Sequence, residues 1–127
     1  MKAIVVEAGG SIYTIELGKP LYRSAARILE GPFEIVRPKG LRHPYVFLVN
    51  EVGLLQGLPK NDIGSYLYQS HVHGNPIVGN VIFMKEVKDD LAGLNPDEID
   101  RMINELKGLR ELMDFCKDVL QEDVLCE

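Results

Sequence analysis

The stretch Tyr45-Val46-Phe47-Leu48-Val49 decides the fold: five consecutive apolar residues, aromatic and β-branched, with no polar alternation. A strand with one wet face alternates, so an unbroken apolar run reads as a central strand covered on both faces. After it, Asn50-Glu51-Val52-Gly53 reads as a tight turn, followed by Leu54-Leu55 and a second break at Gly57-Leu58-Pro59. Before it, residues 39–44 read as a surface loop that follows a strand over residues 33–36, closed by Arg37-Pro38. A strand of this kind needs neighbours and cover, and the flanking sequence supplies both.

Towards the N-terminus, residues 3–6 are apolar, and Ser11-Ile12-Tyr13-Thr14-Ile15-Glu16-Leu17 alternates after Gly9-Gly10, the pattern of a β-hairpin. Pro20 suits the first turn of a helix running to about Glu30, with Leu21, Ala25, Ile28 and Leu29 inward, and Gly31-Pro32 ends it. Towards the C-terminus, Asn61 or Asp62 caps a short helix to about Gln69, with Tyr66, Leu67 and Tyr68 as packing residues. Residues 71–76 form a loop, and residues 77–87 a long strand interrupted at Gly79. The expected fold is α+β: a mixed, mostly antiparallel sheet of about five strands with one helix on a face.

Residues 89–94 read as a connection. Asn95 then stands as an N-cap, Pro96 at the first helical position and Glu98 three residues after the cap, a complete helix-start signal. From there Ile99, Met102, Leu106, Leu109, Met113, Cys116 and Leu120 recur at spacings of three and four and form one seam, widened by Ile103, Leu112 and Val119. A C-terminal amphipathic helix follows, with a helical hairpin broken at Gly108 as the alternative. The seam packs on the chain's own sheet, or makes Ile99, Met102, Leu106, Leu109 and Met113 a self-association surface.

Charge divides the chain the same way. Residues 1–87 carry nine basic and seven acidic side chains, a net of +2, whereas residues 88–127 carry five and twelve, a net of -7, so the net charge of -5 originates in the last third. The sequence therefore divides into an α+β core domain over 1–87 and an acidic helical segment over 88–127, packed on the core or on a partner. Concentrated negative charge repels nucleic acid and attracts basic protein surfaces, so Asp97, Asp100, Glu111 and Asp118 are the protein-binding candidates. Nucleic acid is an unfavoured partner, because the basic group around Arg37, Lys39, Arg42 and His43 is small against the acidic total.

No motif for chemistry emerges. Cys116 and Cys126 do not make a disulfide framework, residues 1–7 are too short an apolar run for a signal peptide, and no stretch approaches the length of a membrane span. A cytoplasmic setting and no membrane contact are expected. His71 and His73 have alternate spacing but no spaced third ligand; neither a nucleophile elbow nor a phosphate-binding glycine loop occurs. No catalytic residue, metal or cofactor is expected. The turns around Asn50, Glu51, Asn61 and His73 are the candidate lining of a small-ligand or nucleotide site, since turns at the end of a central strand often carry function.

Several of these segments also resemble the domain-of-unknown-function family 3846. They are the opening Met1-Lys2-Ala3-Ile4-Val5-Val6-Glu7, the run Gly31-Pro32-Phe33-Glu34-Ile35-Val36-Arg37-Pro38, and Leu48 to Asn61 with Asn50-Glu51-x-Gly53 and Gly57-Leu58-Pro59-x-Asn61 as its core. His73-Gly74-Asn75-Pro76-Ile77-Val78-Gly79-Asn80 completes the likeness, which covers about residues 1–83. Members of that family are short proteins of bacteria, phages and other mobile elements. The resemblance implies an accessory protein of such an element and carries over no activity, cofactor or catalytic residue. The leading expectation is a non-enzymatic protein that binds another protein with a basic surface, with a host-defence nuclease as one conceivable target. Ligand binding and self-association are the alternatives.

Overall fold

The computed structural model describes the backbone of residues 1–125 and the side chains of all of these except His71, His73 and residues 119–125. Six strands form one antiparallel sheet: β1 (Lys2–Val6), β2 (Ile12–Glu16), β3 (Phe33–Val36), β4 (Tyr45–Asn50), β5 (Val81–Val87) and β6 (Asp90–Ala92). Their order is β2-β1-β5-β4-β3, and β6 pairs with the far end of β5. Helices α1 (Leu21–Leu29), α2 (Asp62–Leu67), α3 (Ser70–His73) and α4 (Pro96–Leu125) complete the chain. The apolar run of β4 lies inside the sheet, where residues 46–49 are buried.

Alternate residues of the central strands enter opposite layers, as the period-two geometry of a strand requires. Ala3, Val5, Leu48, Ile82 and Met84 face α1 through Ala25 and Leu29. Ile4, Val6, Phe47, Val49 and Phe83 face the other way and meet Ile63 and Leu67 of α2 and Ile99, Met102 and Leu106 of α4. Phe47 and Phe83 pack edge to face at 5.5 Å between centroids in that layer. Each large side chain buried here contributes about 2 kcal/mol of transfer free energy.

The sheet departs from expectation at its margins. It is antiparallel throughout, and the segment read as a connection contains β6, which folds back through a turn with Lys88 and Asp89 both at positive φ. Three residues, Asp90-Leu91-Ala92, are too short and too poor in β-branched side chains to announce a strand. Val78 makes only an isolated bridge to Lys60, so β5 starts at Val81 and not at Ile77. Residues 71–73, read as loop, belong to the short α3. Tyr66, read as packing, is 52% exposed.

Gly108 does not divide the C-terminal segment. It lies inside one continuous helix of 30 residues, so the hairpin alternative falls. A glycine costs about 1 kcal/mol relative to alanine in a helix interior, far less than the packing of this helix on the sheet returns.

Candidate functional site

The start of α4 is fixed by reciprocal capping. Asn95 Oδ1 accepts the Glu98 N–H at 2.8 Å, and Glu98 Oε1 accepts the Asn95 N–H at 2.9 Å. The same carboxylate also accepts from Lys85 Nζ at 2.7 Å and from the Tyr45 hydroxyl at 2.7 Å, which ties the helix to β5 and β4. Burial pushes the Glu98 carboxyl up, but the Asn95 N–H, the Lys85 ammonium and the Tyr45 hydroxyl outweigh it and hold the group at about 2.

Beyond this start, three of the four cations of α4 turn towards the body, and the fourth, Lys107, is exposed. Arg101 donates to the Tyr45 hydroxyl at 2.6 Å and lies 5.6 Å from the centre of its ring. Arg110 donates to the Gly10 carbonyl at 3.0 Å, and Lys117 pairs with Asp62 at 2.7 Å. The acids take the opposite side. A helix advances 100° per residue, so the spacings of Asp97, Asp100, Glu111 and Asp118 place them together on the face away from Ile99 and Leu106. All four are exposed, and among the described residues none has a hydrogen bond or ion pair. With Arg101, Arg110 and Lys117 turned inward, Lys107 is left as the one α4 cation among the described residues without a partner on the body, and the solvent face of the helix is more negative than its composition alone would make it.

The apolar seam divides along its length. Ile99, Met102 and Leu106 are buried in the chain's own core, which takes them out of contention for self-association. Leu109 and Met113 are half-buried against the same core. Further on, Leu112 is 58% and Phe115 65% exposed, and Cys116 is exposed. Leu109, Leu112, Met113 and Cys116 form one wall of an open groove of about 680 Å³, with Tyr66 and Pro76 on the opposite wall. Its lining is predominantly apolar, and Lys60, Asp62 and Lys117 lie along it. Sequence reasoning missed this groove because half of it comes from α2 and the approach to β5; the widened stripe at Leu112 was its only trace.

The candidate ligand residues do not converge on an open site. Asn50 is buried; its Nδ2 donates to the Leu29 carbonyl and Gln56 Oε1, and its Oδ1 accepts the Val52 N–H. Gly31 permits that approach, since a Cβ there would stand 2.7 Å from Asn50 Nδ2. Asn61 is buried as the α2 cap: Oδ1 accepts the Gly64 N–H, and Nδ2 donates to the carbonyls of Val6 and Gly79. Both N–H groups and one oxygen lone pair of each side-chain amide are thus committed to folding. Glu51 is exposed, and the His73 side chain lies outside the described residues. A smaller cleft of about 300 Å³ between the β1–β2 turn and α4 is bordered by Glu7, Asp62 and Asp114, with Arg110 and Lys117 already engaged.

Among the described residues, no group of three His, Cys, Asp or Glu side chains is placed to hold a metal ion, and no helix is long and apolar enough to cross a membrane. The family model of a domain of unknown function (DUF3846) matches residues 1–107. No curated protein and no solved structure matches the chain. The match takes in the sheet, the helices on both its faces and α4 as far as Leu106, the last of its described side chains to be buried.

Proposed function

We propose, for a chain that belongs to the family of the domain of unknown function DUF3846, that it works by binding another protein and performs no chemistry of its own. The single observation that carries this reading is the sorting of charge on α4. Asp97, Asp100, Glu111 and Asp118 are exposed and unpaired on one face, whereas Arg101, Arg110 and Lys117 are occupied with the body. An acidic face of this kind steers association with a basic protein surface and sets its specificity. The apolar groove and the exposed Phe115 supply surface that docking would remove from water.

The reading extends to a cytoplasmic accessory protein of a phage or other mobile element, the setting that the family resemblance implies. A host-defence nuclease has the chemistry to be its target, because a channel that holds nucleic acid is lined with lysine and arginine. The test is capture of a purified RNA-guided nuclease, free of nucleic acid, on immobilised protein over a salt series. Binding that falls at least tenfold when Asp97, Asp100, Glu111 and Asp118 are all changed to lysine supports the reading. Binding of equal strength by that variant, or none by the wild type to any of a panel of basic nucleic-acid-binding proteins, removes it.

A further inference from the structure

Apart from the three-residue β6, which pairs only with β5, the strand order ends in two open edges, β3 and β2, and they are not alike. β3 has four residues and lies between Pro32 and Pro38, the usual protection of an edge against strand addition. β2 reads Ile12-Tyr13-Thr14-Ile15-Glu16, with no proline, lysine or arginine in it. Its backbone orientation follows from its ends. Met1 and Leu17 exchange hydrogen bonds at 2.7 and 3.2 Å, and Glu7 donates to the Ser11 carbonyl at 2.9 Å. Bonded pairs recur every second residue in an antiparallel ladder, so Tyr13 and Ile15 also turn their amides to β1. The N–H and C=O groups of Ile12, Thr14 and Glu16 therefore point outward. Tyr13 and Thr14 are exposed; α4 packs beside the strand against half-buried Ile12, and among the described residues it sends no hydrogen bond to the outward groups of Ile12, Thr14 or Glu16.

From this geometry we infer that β2 is a self-pairing edge: two copies of the chain join β2 to β2 antiparallel, with Thr14 opposite Thr14 on a twofold axis. The outward groups are symmetric about Thr14, so this register satisfies all of them. Thr14 bonds to its own copy, and Ile12 of each chain bonds to Glu16 of the other. On the α1 side of the sheet, Tyr13 of one copy stands against Ile15 of the other in the closer, non-bonded position, an aromatic on a β-branched side chain. Within the seam no carboxylate faces another, since Glu16 faces Ile12, and each Glu16 is balanced by its own N-terminal ammonium at 2.9 Å. A five-residue seam covers far less than the ~1,600 Å² of a standard stable interface, so the dimer is weak and concentration-dependent.

Sedimentation between about 10 μM and about 1 mM, the range expected for so small an interface, reads the equilibrium. The wild type shifts from monomer to dimer across it. Thr14→Pro stays monomeric with an unchanged melting temperature, because the N–H it removes takes no part in the β1–β2 ladder. The register has its own test in a Cys116→Ser, Cys126→Ser background. Thr14→Cys cross-links to itself on oxidation, as Cα atoms of a bonded pair lie about 5.5 Å apart, within disulfide reach. Glu16→Cys does not, because its two copies lie roughly 14 Å apart in this register. A wild type that is monomeric throughout, a dimer that persists in Thr14→Pro, or equal cross-linking by Glu16→Cys each overturns the inference.

Discussion

Asn95 and Glu98 satisfy each other's backbone at the first turn of α4, the Asn95 side chain on the Glu98 N–H at 2.8 Å and the Glu98 side chain on the Asn95 N–H at 2.9 Å. Because Glu98 also takes the Lys85 ammonium and the Tyr45 hydroxyl, one carboxylate joins a helix cap to two strands of the sheet. Its ionised form is part of the fold, and this gives the protein a defined acid dependence.

The native carboxyl sits at about 2 against an ordinary value of 4.5. A depressed native pKa contributes stability that is complete above the unfolded value and is lost as pH falls towards the folded one. Between pH 5 and pH 2 the wild type therefore loses about 2–3 kcal/mol through this group, on the scale of 1.4 kcal/mol per pKa unit. Glu98→Gln, which cannot ionise, starts less stable at pH 7 and lacks this component of the decline. Urea unfolding at a series of pH values makes the comparison, and parallel curves for the two proteins count against it.

The two halves of α4 differ in what they hold. Leu106→Ala removes a buried side chain from the layer beneath the sheet and costs about 3 kcal/mol. Phe115→Ala removes a larger side chain that is 65% exposed, and changes stability by no more than about 0.5 kcal/mol. Thermal unfolding separates them clearly. A comparable loss from both would mean that the exposed half is built into the core.

Gly108 offers a third check. It is exposed, it is helical, and nothing stands within 4 Å of the position a Cβ would take. Gly108→Ala therefore stabilises by about 0.5–1 kcal/mol with no change in structure. A destabilised variant would show that the helix needs flexibility at this point.

What could be read in advance, and what could not, follows the distance over which each residue finds its partners. The start of α4 was legible because cap and partner are three residues apart, and β4 because its apolar run records burial on both faces. Helical spacing alone gathers Asp97, Asp100, Glu111 and Asp118 to one side of α4. Asn50 and Asn61 drew notice as turn residues, but their roles depend on carbonyls 21, 55 and 18 residues away. Turn propensity carries no information about such partners. The groove was hidden for the same reason, since Tyr66 and Pro76 meet α4 only after the sheet has formed.

Asn61 turns that lesson into a measurement. Its side chain closes the first turn of α2 and holds the end of β1 to the approach of β5 through the Val6 and Gly79 carbonyls, all in a buried setting. Asn61→Ala strands two acceptors and one donor, and buried polar groups left without partners cost about 1–3 kcal/mol each, so a loss of about 3–5 kcal/mol is expected. Asn61→Ser keeps an oxygen for the Gly64 N–H while still abandoning both carbonyls, and recovers only about 1 kcal/mol of that loss, the ordinary worth of a cap. Denaturant midpoints of the three proteins order them wild type, Ser, Ala. If Ser restored full stability, Asn61 would be a helix cap alone, and the link between β1 and β5 would contribute nothing measurable.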